Sequence, residues 1–244
     1  MKVLVTGAAH PLAQALMASL EESYVFRLLD GSSERTGAES IPGSLLDPET
    51  AKAAVAGMDA IVHCLPLVML EAASKGLSDF EVLDQATRGT YQLLTAAGEA
   101  GVQRCLFISS FVLFEGCPPG AYLSEAWMPR PEAKAGSLAL YLAELTAREF
   151  GRTRQMAVLC LRVAPLACEE EMQGKALDPR WLDVRDAVFA CRKALEIPLE
   201  QPRWWVYHIA SDFPDTPYAI DRARRPPLSY TPQYRFGIKL EQGG

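Results

Sequence analysis

Thr6-Gly7, followed by His10-Pro11, is the first place along the chain where residue types suggest chemistry. Glycine permits a tight turn, and proline suits the first turn of a helix, where its missing N–H leaves no bond unmade. A helix that begins there directs its free N–H groups and the positive end of its dipole at whatever lies in front. In a strand–turn–helix unit that is the place of a nucleotide pyrophosphate. Gly7, Ala8, His10, Pro11 and Leu12 are therefore candidate cofactor contacts. His10 stands against this reading, because it brings a Cβ and an imidazole to where backbone should approach phosphate. A plain strand-to-helix turn is the alternative. Asp30 lies 23 residues after Gly7. A carboxylate there accepts hydrogen bonds from the adenosine ribose hydroxyls and repels a 2′-phosphate, which favours NAD over NADP. Its other reading is a polar residue opening the Gly31-Ser32-Ser33 loop. Ser109-Ser110 offers two hydroxyls at a strand end, and Arg162 offers a cation to an anionic substrate or to a structural ion pair.

These residues need elements to place them. Val3–Val5, Tyr24–Leu29, Asp59–Cys64, Cys105–Ile108, Met156–Arg162 and Trp205–Ile209 are short apolar runs that read as buried strands. Gly43–Asp47 closes a further short strand, and Pro48 starts a helix through Val55. Asp47 is a helix N-cap and a candidate cofactor contact. Helical patterns cover Phe80–Ala100, Gly136–Phe150 and Asp183–Leu195, with a short one at Tyr218–Arg224. Strand and helix alternate, which predicts an α/β fold with a mostly parallel sheet and helices on both faces. Leu65-Pro66-Leu67 leaves the carboxyl end of the fourth strand, where ligands sit in such sheets, and Cys64, Leu65 and Pro66 join the candidate cofactor contacts together with Ser109. His63 lies inside that strand and reads as a satisfied core histidine.

The totals bound the rest. The chain has 244 residues, 49% apolar and 22% charged, with a net charge of −6. That balance gives no reason to expect nucleic acid or an anionic membrane as a partner. The apolar stretch at Ile61–Leu70 is too short to span a bilayer. Met1 runs directly into the first strand, so no signal peptide is expected and a cytoplasmic location follows. The six cysteines lack C-x-x-C spacing, as reduced core cysteines do, and the three histidines form no metal-type cluster, so no metal is expected.

With these pieces in order, the chain resembles the extended short-chain dehydrogenase/reductase superfamily, of the NAD-dependent epimerase/dehydratase type. The resemblance rests on Thr6-Gly7, Asp30, DAIVHC from Asp59, RGTYQLLTAAGEAGVQRCLFISS from Arg88 to Ser110, AELTAREF from Ala143 and LCLRVAPL from Leu159. RWLDVRDAVFACRKALE from Arg180 and LSYTPQ from Leu228 extend it to nearly the whole chain, and the short final third looks most like the uronate dehydrogenases. The resemblance implies a Rossmann-type doubly wound parallel sheet with a small C-terminal substrate lobe. Residues 1–160 would form the dinucleotide-binding domain. Residues 161–244 would supply the remaining Rossmann elements and small substrate-lobe segments, in one compact unit. NAD, a sugar-like ligand and a homodimer built on the two long helices are the implied partners.

The same resemblance exposes departures. The family's glycine turn reads T-G-x-x-G-x-x-G, and His10 and Ala13 replace its second and third glycines. Its chemistry uses a Ser or Thr, a Tyr as acid/base, and a Lys four residues on that lowers the Tyr pKa; that spacing puts phenol and ammonium on one helical face. Ser110 falls on the Ser position. The register set by Ala143-Glu144 puts Gly136 at the Tyr position and Leu140 at the Lys position. The family's Asn becomes Ala86, and an Asp near the adenine becomes Ser44. Tyr141 is five residues beyond Gly136, about 140° further round a helix. The expectation is a dinucleotide-binding protein whose proton relay is gone, with weakened or lost NAD binding. One rival is a working oxidoreductase or epimerase with a relocated acid/base, Tyr141 or Tyr122, beside Ser110. The other is a dimeric scaffold that holds no nucleotide because His10 fills the phosphate site.

Overall fold

A computed structural model describes residues 1–29, 38–153, 156–168, 178–198, 203–235 and 238–239. In chain order its principal strands are β1 (Lys2–Thr6), β2 (Val25–Leu29), β3 (Glu39–Ile41), β4 (Ala60–His63), β5 (Arg104–Ser110), β6 (Ala157–Val163) and β9 (Trp204–Ile209). Between the last two lies a short parallel pair, β7 (Leu166–Ala167) and β8 (Leu182–Asp183); β10 (Tyr234–Arg235) and β11 (Ile238–Lys239) form an antiparallel pair near the end. The seven principal strands form one parallel sheet in the order β3-β2-β1-β4-β5-β6-β9. The order reverses between β1 and β4, and the cleft beyond the carboxyl ends of those strands is where an open α/β sheet takes its ligand. This is the parallel α/β sheet expected from the alternation of strands and helices, in the doubly wound Rossmann-type form that the resemblance implies.

The helices are α1 (Pro11–Leu20), α2 (Pro48–Val55), α3 (Leu65–Ser74), α4 (Asp79–Glu99), α5 (Ala135–Thr153), α6 (Val184–Glu196) and the single turn α7 (Asp221–Arg224). α1 packs with α6, while α4 packs with α2, α3 and α5, giving two helical layers. Local chemistry fixes several ends. Asp47 accepts the N–H groups of Glu49 and Thr50 and the Thr50 hydroxyl, so its carboxylate caps α2. Ser78 and Glu81 close a capping box on α4. The buried Arg104 guanidinium donates to the carbonyls of Ala194, Leu195 and Ile197 at the end of α6.

α3 adds to the sequence reading, which places Leu65-Pro66-Leu67 at the carboxyl end of the strand and assigns no helix there. The segment LPLVMLEAAS is helical from Leu65, but no side chain caps its start at Cys64. Six of its first seven residues are apolar or proline, so it shows no polar face to mark the period. The last short helix is corrected: it begins at Asp221, and Tyr218 instead forms an isolated bridge with Leu123. None of the described helices is long and apolar enough to cross a membrane.

Candidate functional site

At the end of β1 the backbone of Gly7 has φ +70°, and a Cβ there would stand 2.6 Å from Leu65 N and 2.7 Å from Cys64 C. Glycine is thus required by the close approach of the α3 start, as well as by its own turn. Ala8, Cys64 and Pro66 are buried and Leu65 is partly buried, making this a tightly packed junction. The ends of β1 and β4 are also tied by side chains. Thr6 Oγ1 lies 2.6 Å from His63 Nδ1, His63 Nε2 lies 2.8 Å from Thr90 Oγ1, and Thr90 donates to the Ala86 carbonyl at 2.5 Å. Because the Thr90 proton is spent on Ala86, Nε2 carries the imidazole proton and Nδ1 accepts from Thr6.

Burial holds the His63 pKa down to about 3, against an ordinary 6.5. In the unfolded chain the ring protonates near 6.5, while in the folded chain it stays neutral to about 3. Stability contributed by this mismatch is therefore whole above 6.5 and is lost as the pH falls from there towards 3. In urea titrations, His63→Asn is expected to lessen the acid sensitivity by about 1.4 kcal/mol per pH unit across that window. An unchanged slope would contradict this assignment.

A cleft of about 670 Å³ opens beyond the strand ends. His10, Pro11 and Leu12 form one wall, Leu67, Leu70 and Glu71 of α3 another, and Ser109, Ser110 and Phe111 the floor. Arg180, Trp181 and Tyr218 close the far side. The size suits a small-molecule ligand. The structure thus brings His10, Pro11, Leu12, Ser109 and Ser110 to one cavity. Gly7, Ala8, Cys64, Leu65, Pro66 and Asp47 do not line it, and Asp47 caps α2. Asp30 lies outside the described residues.

His10 is the N-cap of α1, and its Nδ1 accepts the Leu12 N–H at 3.2 Å. Its Nε2 lies 3.5 Å from Glu71 Oε1. The ring is buried, and burial lowers its pKa while Glu71 works in the opposite direction. On the floor, the two serines have different fates. Ser109 donates to Glu144 Oε2 at 2.6 Å. Ser110 accepts the Val112 N–H at 3.3 Å and faces the cleft with its own proton unspent among the described residues.

Behind the floor, Arg162 and Glu144 form a buried ion pair, with Nη2–Oε1 at 2.5 Å and Nε 3.2 Å from both carboxylate oxygens. Burial opposes the Arg162 charge, and Glu144 more than offsets it, so the guanidinium pKa is raised. Of the two sequence readings for Arg162, the structure gives the ion pair.

The positions at which the resemblance places a Tyr and a Lys hold Gly136 and Leu140. Gly136 is buried in the first turn of α5, where a Cβ would meet Leu70 Cδ1 at 3.1 Å and Ala73 Cβ at 3.2 Å. Leu140 is fully buried in the main core. Tyr141 packs partly buried against that core and does not line the cleft; Tyr122 is 58% exposed and does not line it either. The phenol in the cleft belongs to Tyr218, stacked on Phe111 with ring centroids 3.7 Å apart. Burial raises its pKa, partly countered by Arg180, so at neutral pH it is a donor rather than a base. Arg180 is held by Asp178 through Nη2–Oδ2 at 2.6 Å. Tyr218 and the Arg180-Trp181 wall were not legible as site residues, since long-range chain return delivers them. The only signal was Arg180-Trp181 opening a block shared with the resembled family. Among the described residues no lysine lines the cleft.

The comparisons with known proteins agree with this geometry. A family profile described as NAD(P)H-binding matches residues 13–175. The chain is 28% identical to an NAD-dependent glucose-6-phosphate dehydrogenase of Haloferax volcanii over 264 aligned residues, covering 95% of this chain and 92% of the relative. Among solved structures it is similar to a glucuronic acid dehydrogenase from Chromohalobacter salexigens, with TM-score 0.79 and 22% identity over 97% of this chain and 85% of that one. It is also similar to MoeE5 in complex with UDP-glucuronic acid and NAD, with TM-score 0.77 and 20% identity over 96% of this chain and 95% of that one. At those identities the structural likenesses establish the fold.

Proposed function

The chain belongs to the NAD(P)H-binding family, and from that premise we propose that it binds an NAD-type dinucleotide in the cleft but lacks the Tyr/Lys route of hydride-transfer catalysis. The observation that carries the second half is the filling of both relay positions, Gly136 beneath α3 and Leu140 inside the core. The residues present fit a dinucleotide at the switch between β1 and β4 and along the floor at Ser109 and Ser110; they compete with it at one point, His10. A bound nicotinamide would supply a hydride acceptor or donor. Ser110 offers a hydroxyl proton to a ligand oxygen, Tyr218 offers a second donor, and the apolar flank of Leu67, Leu70 and Phe111 excludes water. Among the described residues of the cleft no lysine ammonium pairs with the Tyr218 phenol, so the phenol proton stays in place at neutral pH.

A sugar or sugar acid is the second ligand class we propose, since the relatives and structural neighbours named above act on or hold such molecules. Phe80, Tyr91 and Leu142 stay exposed on α4 and α5, which supports a homodimer across these helices. The cytoplasm is its proposed location. The scaffold rival draws support from a single feature, the His10 ring on the helix start.

Thermal unfolding with and without millimolar NAD or NADH separates the two readings. Binding raises stability by mass action, about 2.7 kcal/mol when ligand is at a hundredfold excess over Kd. A rise in Tm that grows with nucleotide concentration is expected; an unchanged Tm at saturating nucleotide would favour the scaffold.

A further inference from the structure

Three consecutive positions at the start of α1 have no donor to offer an anion. The His10 N–H goes to the Gly7 carbonyl at 3.0 Å, Pro11 has none, and the Leu12 N–H goes to His10 Nδ1 at 3.2 Å. That last bond needs a lone pair on Nδ1, so the neutral ring carries its proton on Nε2, facing Glu71. We propose that His10 is a proton-operated gate on dinucleotide binding: the neutral ring occupies the Leu12 N–H, and the protonated ring releases it and presents a cation to the pyrophosphate. The inference rests on the reading that this cleft takes a dinucleotide.

On protonation Nδ1 gains a hydrogen and has no lone pair left. Two N–H groups then face each other, and the cap bond breaks. The ring's charged neighbour is Glu71 of α3, itself 3.8 Å from Lys75 Nζ on the same helix; Glu115 and Arg180 are the other charged groups lining the cleft. Burial keeps the ring neutral near pH 7, and Glu71 limits how far its pKa falls. Since the open form holds the extra proton and the closed form does not, dinucleotide affinity rises as pH falls below neutrality. One proton is taken up per molecule bound.

Calorimetric titration of NAD between pH 8 and pH 5.5, in buffers of different ionisation heat, tests this on the whole chain. Wild-type affinity is expected to climb on acidification, by up to about tenfold per pH unit, with proton uptake. His10→Gly keeps an acceptable N-cap and is expected to bind about tenfold tighter at pH 7.5, with no pH slope. Glu71→Gln is expected to move the climb to lower pH. In the free protein, ¹⁵N shifts are expected to place the His10 proton on Nε2. Equal, pH-independent affinity in wild type and His10→Gly would overturn the gate while leaving dinucleotide binding intact. A failure of both to bind at any pH would overturn the gate and the underlying reading together. A proton on Nδ1 at neutral pH would overturn the gate by itself.

Discussion

A Glu144→Leu variant is expected to lose about 3–5 kcal/mol of folding stability, because it leaves a buried guanidinium without its counter-ion. Arg162 and Glu144 are both about 5% exposed, and the Arg162 Nη1 already has no hydrogen-bond partner among the described residues. Removing the carboxylate also strips Ser109 of its acceptor. Desolvation of a poorly compensated charge dominates, since Glu125, the other carboxylate that acts on Arg162, does so more weakly than Glu144. Glu144→Leu combined with Arg162→Met removes both charges and is expected to regain more than half of the loss. Urea unfolding of the two single variants and the double variant forms a complete cycle. A Glu144→Leu variant within about 1 kcal/mol of wild type in those urea titrations would refute this assignment of the ion pair.

Placing a Tyr/Lys pair at positions 136 and 140 is expected to fail. A phenol ring at position 136 must pass Leu70 and Ala73, whose atoms already stand 3.1–3.2 Å from where its Cβ would be. Overpacking of that kind costs about 1–3 kcal/mol. A lysine at 140 would place an ammonium where Leu140 is fully buried. Burial shifts such groups by several pKa units, at about 1.4 kcal/mol each. Gly136→Tyr with Leu140→Lys is therefore expected to cost more than about 5 kcal/mol, comparable with the whole stability of many domains. Circular dichroism melting is expected to find it largely unfolded at 37 °C, with no hydride transfer gained. A folded double variant that oxidises sugar acids would mean that α3 leaves the old seat open.

Much of the fold was readable because buried parallel strands announce themselves as apolar runs. Ala60–His63 and Arg104–Ser110 are almost wholly buried, and their sequences have no polar alternation. α3 escaped because it lacks both a side-chain cap and a polar face over its first turns. His10 was legible as an obstruction, but not as the cap of its own helix, since that depends on a ring rotamer. Arg162 remained open between two readings because its partner Glu144 lies on a different element, 18 residues away. Tyr218 reached the cleft through a bridge to Leu123, a pairing that no local pattern carries.

The proposal to be tested is that this protein holds a dinucleotide and, without a Tyr/Lys pair, passes no hydride. Its most direct test is one preparation assayed twice: NADH binding by fluorescence, and NADH formation from NAD with glucuronate, galacturonate and glucose 6-phosphate. The account predicts saturable binding with no turnover above the protein-free rate. Saturable binding together with turnover that disappears in Ser110→Ala would contradict it.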